Sequence, residues 1–345
     1  MKGTDLSRVL LALQKTGTRS DAQQARRYSR RSKLEASDAS DSAVRWISLF
    51  ESQNASKDAN VRTMPVFPLG SSIHIPHTKE DLTIFEPRYR KMFDDILFSG
   101  SRCFAVPVVV QDESGNMKFL ETASVFYLDD LQEISELTGN QLKYIGHHTV
   151  IGRVKLLKVL NPEVWRTGES YLRAEVEDVV DTDPDVDTSA AEAELEDVFL
   201  DLVSLQERMN EHVRFTGELN GTISFNRSTV EGEGLWGMLE NWQQFLQGVK
   251  HIALQKAQQE IVDEAKSRGV QTVDELIKEL QGRLGEIQEK VRADLSNSNS
   301  DEFSDSMLAL IQSNSHAERL SMFRQLLDEQ RRRLKTKESL KELMM

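Results

Sequence analysis

The sequence predicts an α+β protein: a β-rich domain closing wholly or partly into a barrel around one short helix, then a helical domain. Three observations predict this. Between Cys103 and Val180, short apolar or alternating runs are separated by turn clusters, as packed strands require. The one helical stripe in that half, Tyr89, Met92, Phe93, Ile96 and Leu97, is brief. Beyond Asp187 the apolar spacing changes to threes and fours and largely keeps that period.

Taken in order, residues 1–63 form a basic, serine-rich tail in which Arg19, Arg26, Arg27, Arg30, Arg31 and Lys33 crowd together. That composition fits a transit segment of a plastid or mitochondrial protein. A disordered tail on a cytoplasmic protein is the alternative, and Asp5, Asp21 and Glu35 weigh toward it. The β-rich domain spans 64–180. Met64 to Gly70 reads as a short strand ended by a turn, and Ile73 to Phe85 as extended pieces broken by Pro76. Pro87 suits a first helical position and Gly100 a left-handed stop, which brackets the short helix. Phe104 to Val110 reads as one strand buried on both sides, and Asp112 to Asn116 as a hairpin turn. Ala123 to Ile134, Thr149 to Leu160 and Tyr171 to Val179 are further strands.

Residues 181–190, opening Asp181-Thr182-Asp183-Pro184-Asp185, read as a solvated acidic linker; the spacing lacks the glycine and terminal glutamate of a calcium loop. The helical domain spans 191–342. Leu195, Val198, Phe199, Leu202 and Leu205 line its first helix, and 235–266 is a long second one. Capping-box spacings at Thr272/Glu275 and Ser315/Glu318 open two more. The last is a long C-terminal helix with Leu320, Phe323, Leu327 and Leu334 on one face.

Composition and motifs weigh against several functions. With 345 residues and a formal charge of -13, the chain lacks the basic balance of a nucleic-acid binder. No apolar run is long enough to span a bilayer. The lone Cys103, inside an apolar run, can form neither an internal disulfide nor a cysteine-based zinc site. His74 and His77, and the adjacent His147 and His148, read as exposed or singly bonded histidines rather than ligands. No phosphate-binding Gly-Lys-Ser/Thr loop, Gly-x-Ser-x-Gly elbow, His-Glu-x-x-His helix or dinucleotide fingerprint occurs. The sequence therefore predicts no catalytic residue, no cofactor and no metal.

The most distinctive string is Phe85-Glu86-Pro87-Arg88-Tyr89-Arg90. Glu86 would favour the positive end of a helix, Arg88 or Arg90 could pair with a carboxylate, and Tyr89 begins the buried stripe. Phe85, Glu86, Arg88 and Tyr89 are the candidate binding or fold-defining residues. Together with Pro65-Val66-Phe67-Pro68-Leu69-Gly70, Phe104-Ala105-Val106-Pro107-Val108, Thr149 to Val154 and Tyr171 to Val176, this string resembles the N-terminal domain of Lon-type ATP-dependent proteases. Glu318-Arg319-Leu320 before a leucine-rich helix is similar to the helical part of that domain. The likeness is specific over 64–180 and loose over 190–342. It implies a PUA-like pseudo-barrel followed by a helical bundle, in a region that recognises or gates protein substrates. The motor and the Ser-Lys protease of that family have no counterpart in this sequence. Two departures stand out: His74 and His77 interrupt a usually apolar strand, and extra residues lie between Asp129 and Gly146.

The leading reading is a non-catalytic module binding a polypeptide segment or partner protein, through strand edges or apolar grooves, in protein quality control. A helical adaptor or assembly subunit, with the Leu320–Leu334 face turned outward, is the second. An enzyme with scattered groups and an RNA-binding PUA-like protein using Arg88, Arg90, Lys91 and Arg102 are weaker alternatives. The sequence assigns no oligomeric state.

Overall fold

A computed structural model describes residues 44–50, 60–112, 115–133, 144–215, 223–270, 272–296 and 300–343. The expectations for 1–43, for the extra residues 134–143 and for part of the polar loop at 297–299 lie outside the described residues. The architecture is α+β, with a sheet that curls into a ring ahead of a helical region. Its strands are β1 (Trp46–Ser48), β2 (Arg62–Val66), β3 (Lys79–Ile84), β4 (Cys103–Val106), β5 (Val109–Gln111), β6 (Met117–Leu120), β7 (Thr122–Glu133), β8 (Tyr144–Val159) and β9 (Leu172–Asp178). Helix α1 (Pro87–Phe98) follows β3, and the short α2 (Val164–Thr167) links β8 to β9.

The larger sheet runs β3-β8-β7-β4-β2-β9, and β9 returns to pair with β8. That return closes a five-strand ring and leaves β3 outside it. The ring falls short of a full barrel at one seam. There β2 and β4 share a single parallel pair, Val66 with Ala105, followed by the bond from Phe67 N to Ala105 O at 2.8 Å. A second, three-stranded sheet of order β1-β6-β5 packs alongside.

Alternation along the strands makes two cores. Ala105, Ala123, Val125, Val154, Leu156, Ala174 and Val176 bury one face together with Ile47 and Phe119 of the small sheet and Leu49 just after β1. Phe104, Val106, Phe126, Leu128 and Val150 bury the other against Tyr89, Met92, Phe93 and Ile96 of α1. Burial on both faces explains the unbroken apolar run at 104–110. The run is two strands rather than the one expected. Pro107 has no N–H to donate, and the chain leaves β4 there, so β5 begins again at Val109. The α1 stop is as expected: Gly100 has φ +74°.

The helical region comprises α3 (Ser189–Met209), α4 (Gly234–Ser267), α5 (Val273–Gly282), α6 (Leu284–Ser296), α7 (Ser300–Gln312) and the 28-residue α8 (His316–Leu343). Helices α3 and α8 run parallel. Leu195, Val198, Leu202, Leu205 and Met209 face His316, Leu320, Phe323, Leu327, Gln330 and Leu334, both at alternating three- and four-residue spacing. Ion pairs flank this seam at a fixed offset of 130: Glu194 with Arg324, Asp201 with Arg331, Glu338 with Arg208. Leu320, Phe323, Leu327 and Leu334 are therefore buried within the chain.

Helix α5 begins as its capping box predicts. Thr272 Oγ1 accepts from Glu275 N at 3.3 Å and reaches the Glu275 carboxylate at 2.7 Å. Thr272→Ala is expected to cost about 1 kcal/mol, read as a lower urea midpoint with an unchanged slope.

Two expected boundaries differ. Residues 44–50, inside the expected tail, include β1, and Gln312 bonds both Arg45 N and Arg45 O just before it at 2.8 Å. The acidic stretch is not simply solvated either. The Asp181 carboxylate meets the buried guanidinium of Arg319 and, at 3.4 Å, that of Arg153 on β8. Both guanidiniums lie over the Trp236 ring, 4.9 and 5.0 Å from its centroid. Asp183 accepts from the backbone of His316 and Ala317 at 3.0 Å and from the Ser315 hydroxyl at 2.9 Å, capping α8. Partners 28 and more than 130 residues away are what a local composition cannot reveal.

Candidate functional site

The four candidate residues separate by depth. Tyr89 is buried, its ring edge-on to Phe67 at 4.0 Å between centroids, and burial pushes its phenol up to about 12. Arg88 pairs with Glu86 at 2.8 Å, and its guanidinium lies 4.6 Å over Tyr89 and 5.8 Å from Trp165 of α2. The pair is thus local, and the stacking on Trp165 ties the start of α1 to the β8–β9 connection. Glu86 occupies the N-cap position without a side-chain cap bond. Phe85 alone of the four is turned outward, 55% exposed.

Phe85 directly follows β3, and β3 is the feature the sequence did not single out. Register pairs tie it to β8 from Lys79–Thr149 to Ile84–Tyr144, while its other side has no strand partner among the described residues. The same stretch of β8 pairs with β7 as far as Glu133, beyond Tyr127, the last β7 residue that meets β4. Strands β7, β8 and β3 therefore extend past the ring as a three-stranded flap. Two register shifts between β7 and β8, one leaving Ile151 of β8 unpaired and one leaving Asp129 of β7 unpaired, bend the pair near that point. An unpaired strand edge exposes a row of backbone donors and acceptors, and an extended chain can satisfy them whatever its sequence.

Two of the histidines that the sequence reads as exposed or singly bonded pack under the flap: His148 of β8 and His74, each with its ring hydrogen-bonded to Glu80. His148 is 1% exposed and ringed by Phe93, Phe104 and Phe126 at 5.3–5.8 Å. Its Nδ1 lies 3.2 Å from Glu80 O. His74 Nδ1 meets the Glu80 carboxylate at 2.9 Å, and its ring stands edge-on to Phe126 at 5.1 Å. Glu80 of β3 thus contacts both. Burial holds His148 below the ordinary histidine range. A folded state that resists protonation loses stability as pH falls below about 6.5, where the unfolded chain takes up the proton. His148→Gln is expected to remove part of that acid sensitivity, by at most about 1.4 kcal/mol per pH unit, measured as urea midpoints between pH 7.5 and 5.5.

Among the described residues no group of three or more His, Cys, Asp or Glu is placed to hold a metal ion, and no helix is long and apolar enough to cross a membrane. Cys103 is half-buried, its thiol pushed up by burial.

The family model described as the ATP-dependent protease La (Lon) substrate-binding domain matches residues 63–227. No motor or protease domain is matched within these 345 residues. Among solved structures, the chain is similar to a Lon N-terminal domain protein from Xanthomonas campestris, at 18% identity over 45% of this chain and 85% of that one, with a TM-score of 0.28. It is also similar to the N-terminal domain of the Lon protease of the Mycobacterium avium complex, at 11% identity over 68% of this chain and 97% of that one, with a TM-score of 0.32. No curated protein matches the chain.

Proposed function

We propose, from the premise that residues 63–227 carry a Lon-family substrate-binding domain, that this protein binds extended polypeptide segments without altering them chemically. The family match carries the reading. The unpaired β3 edge, running from Lys79 into the exposed Phe85, supports it with a surface suited to an added strand. The string that marks the family thus supplies both the end of the edge and the α1 anchor behind it. A role in protein quality control follows if the segments bound belong to unfolded proteins. The helical adaptor reading is disfavoured, because the face it requires is buried against α3 and α4.

The test uses a permanently unfolded polypeptide, such as reduced and carboxymethylated lactalbumin, beside its native form. The full chain is expected to bind the unfolded form alone, seen as co-migration on gel filtration, and to return it intact by mass spectrometry. Binding to neither form contradicts polypeptide recognition, and cleaved or modified product contradicts a non-catalytic role.

A further inference from the structure

Among the described residues β3 has no strand partner on its outer side, and the side chains around it are mostly acidic. Resting on the polypeptide-binding reading above, we propose that β3 takes as an added strand a segment bearing lysine or arginine side chains, with Phe85 seating an apolar side chain at one end.

Backbone bonding at a strand edge is indifferent to sequence, so the surrounding side chains decide what docks. Around β3 they are acidic. Asp81 on β3 itself is 68% exposed, and Asp129 and Asp130 stand exposed on β7 of the same flap. Glu80 lies on β3, and Glu231 and Glu240 approach from the helical region. Burial raises the Glu240 carboxyl first, and Glu231 and Glu80 raise it further, which places all three in one field. Against them stand Lys79, already paired with Glu231 at 2.7 Å, His147, whose Nδ1 meets Asp81 at 2.6 Å, and, at the Phe85 end, Arg90, whose Nε donates to Phe85 O at 2.9 Å.

Edge strands are commonly protected by charged side chains, lysine especially, or by a proline, and the sign of that charge decides which strands are kept off. Here β3 has no proline, and its one lysine is engaged at the far end. Opposite charges directly across paired strands stabilise and like charges repel. An acidic edge therefore admits a basic strand and disfavours a second copy of itself.

The experiment measures binding of fluorescein-labelled peptides to the full chain by anisotropy. The peptides alternate threonine with lysine, glutamine or glutamate around one central leucine. The lysine peptide is expected to bind roughly tenfold tighter than the glutamine one, the glutamate peptide not to bind, and the preference to collapse near 1 M salt. Asp81→Asn and Asp130→Asn should each weaken the lysine peptide about threefold without changing the melting temperature. N-methylating alternate backbone nitrogens blocks one edge of a peptide strand. One methylated phase should abolish binding and the other retain it. Equal binding of all three charges, or indifference to both methylated phases, would overturn the proposal while leaving polypeptide binding intact. Failure of every peptide, together with failure to bind the unfolded protein, would remove the underlying reading as well. A dimer seen by light scattering and broken by Asp81→Lys would assign the edge to a second copy and also overturn the proposal.

Discussion

Asp181→Ala is expected to destabilise the protein by about 3–5 kcal/mol, the cost of leaving buried guanidiniums without their counter-charge. The side chains of Arg319 and Arg153 are 2% and 5% exposed and share Asp181 as their carboxylate. Burial and the neighbouring Arg319 lower Arg153 to about 10, and Asp181 opposes that shift. Each arginine also donates to Ser313 O, so the alanine variant strands charge without freeing the geometry. Replacing Asp181, Arg153 and Arg319 together by leucine and methionines is expected to recover most of the loss, since a hydrophobic cluster of similar volume avoids the desolvation penalty. Urea midpoints read both. An Asp181→Ala cost below about 1 kcal/mol would show that these charges contribute no more than a surface pair. Nearby, burial works to raise Asp183, but bonds from Ala317, His316, Ser315 and Arg227 outweigh it and hold its carboxyl well below the usual range. Its contribution is therefore present above the unfolded carboxylate range and lost as pH falls through the folded value.

Phe104→Ala should cost about 3–5 kcal/mol and reach the candidate site as well. Phe104 is fully buried, with the rings of Phe67, Phe93, Phe126 and His148 within 6 Å of it. Those rings belong to the chain after β2, to α1, to β7 and to β8, so removing Phe104 opens a cavity where α1 sits on the sheet. Phe85→Ala is the contrasting change. At 55% exposure it should shift stability by less than about 0.5 kcal/mol, yet weaken polypeptide binding. Thermal melts and anisotropy on the two variants separate the roles. A Phe85→Ala variant that binds as well as the parent would take Phe85 out of the site.

What was legible in the sequence follows from how local each cause is. Helix α1 could be bounded because its cues lie within fifteen residues: Pro87 to start, one apolar stripe, Gly100 to stop. The capping residues of α5 and α8 were equally local, as Thr272 and Ser315 bond within three residues. The acidic stretch at 181–187 was misleading because its partners are distant: solvated composition and buried ion pairing look alike without Arg153 and Arg319 in view. Strand β1 escaped because its three residues, Trp46 to Ser48, are held by β6, and the preceding Arg45 by Gln312, rather than by any pattern of their own. For the candidate site, the Phe85–Tyr89 string could be found by eye. Which of its residues face solvent could not, because that depends on how β3 hangs from β8 outside the ring.

Hydrogen–deuterium exchange on the full chain, with and without the unfolded polypeptide, tests the central claim most directly. Protection of backbone amides within 79–85 on binding is the result the account predicts. Protection confined to α8, or none across β3 while the polypeptide is bound, would contradict it and move recognition away from the strand edge.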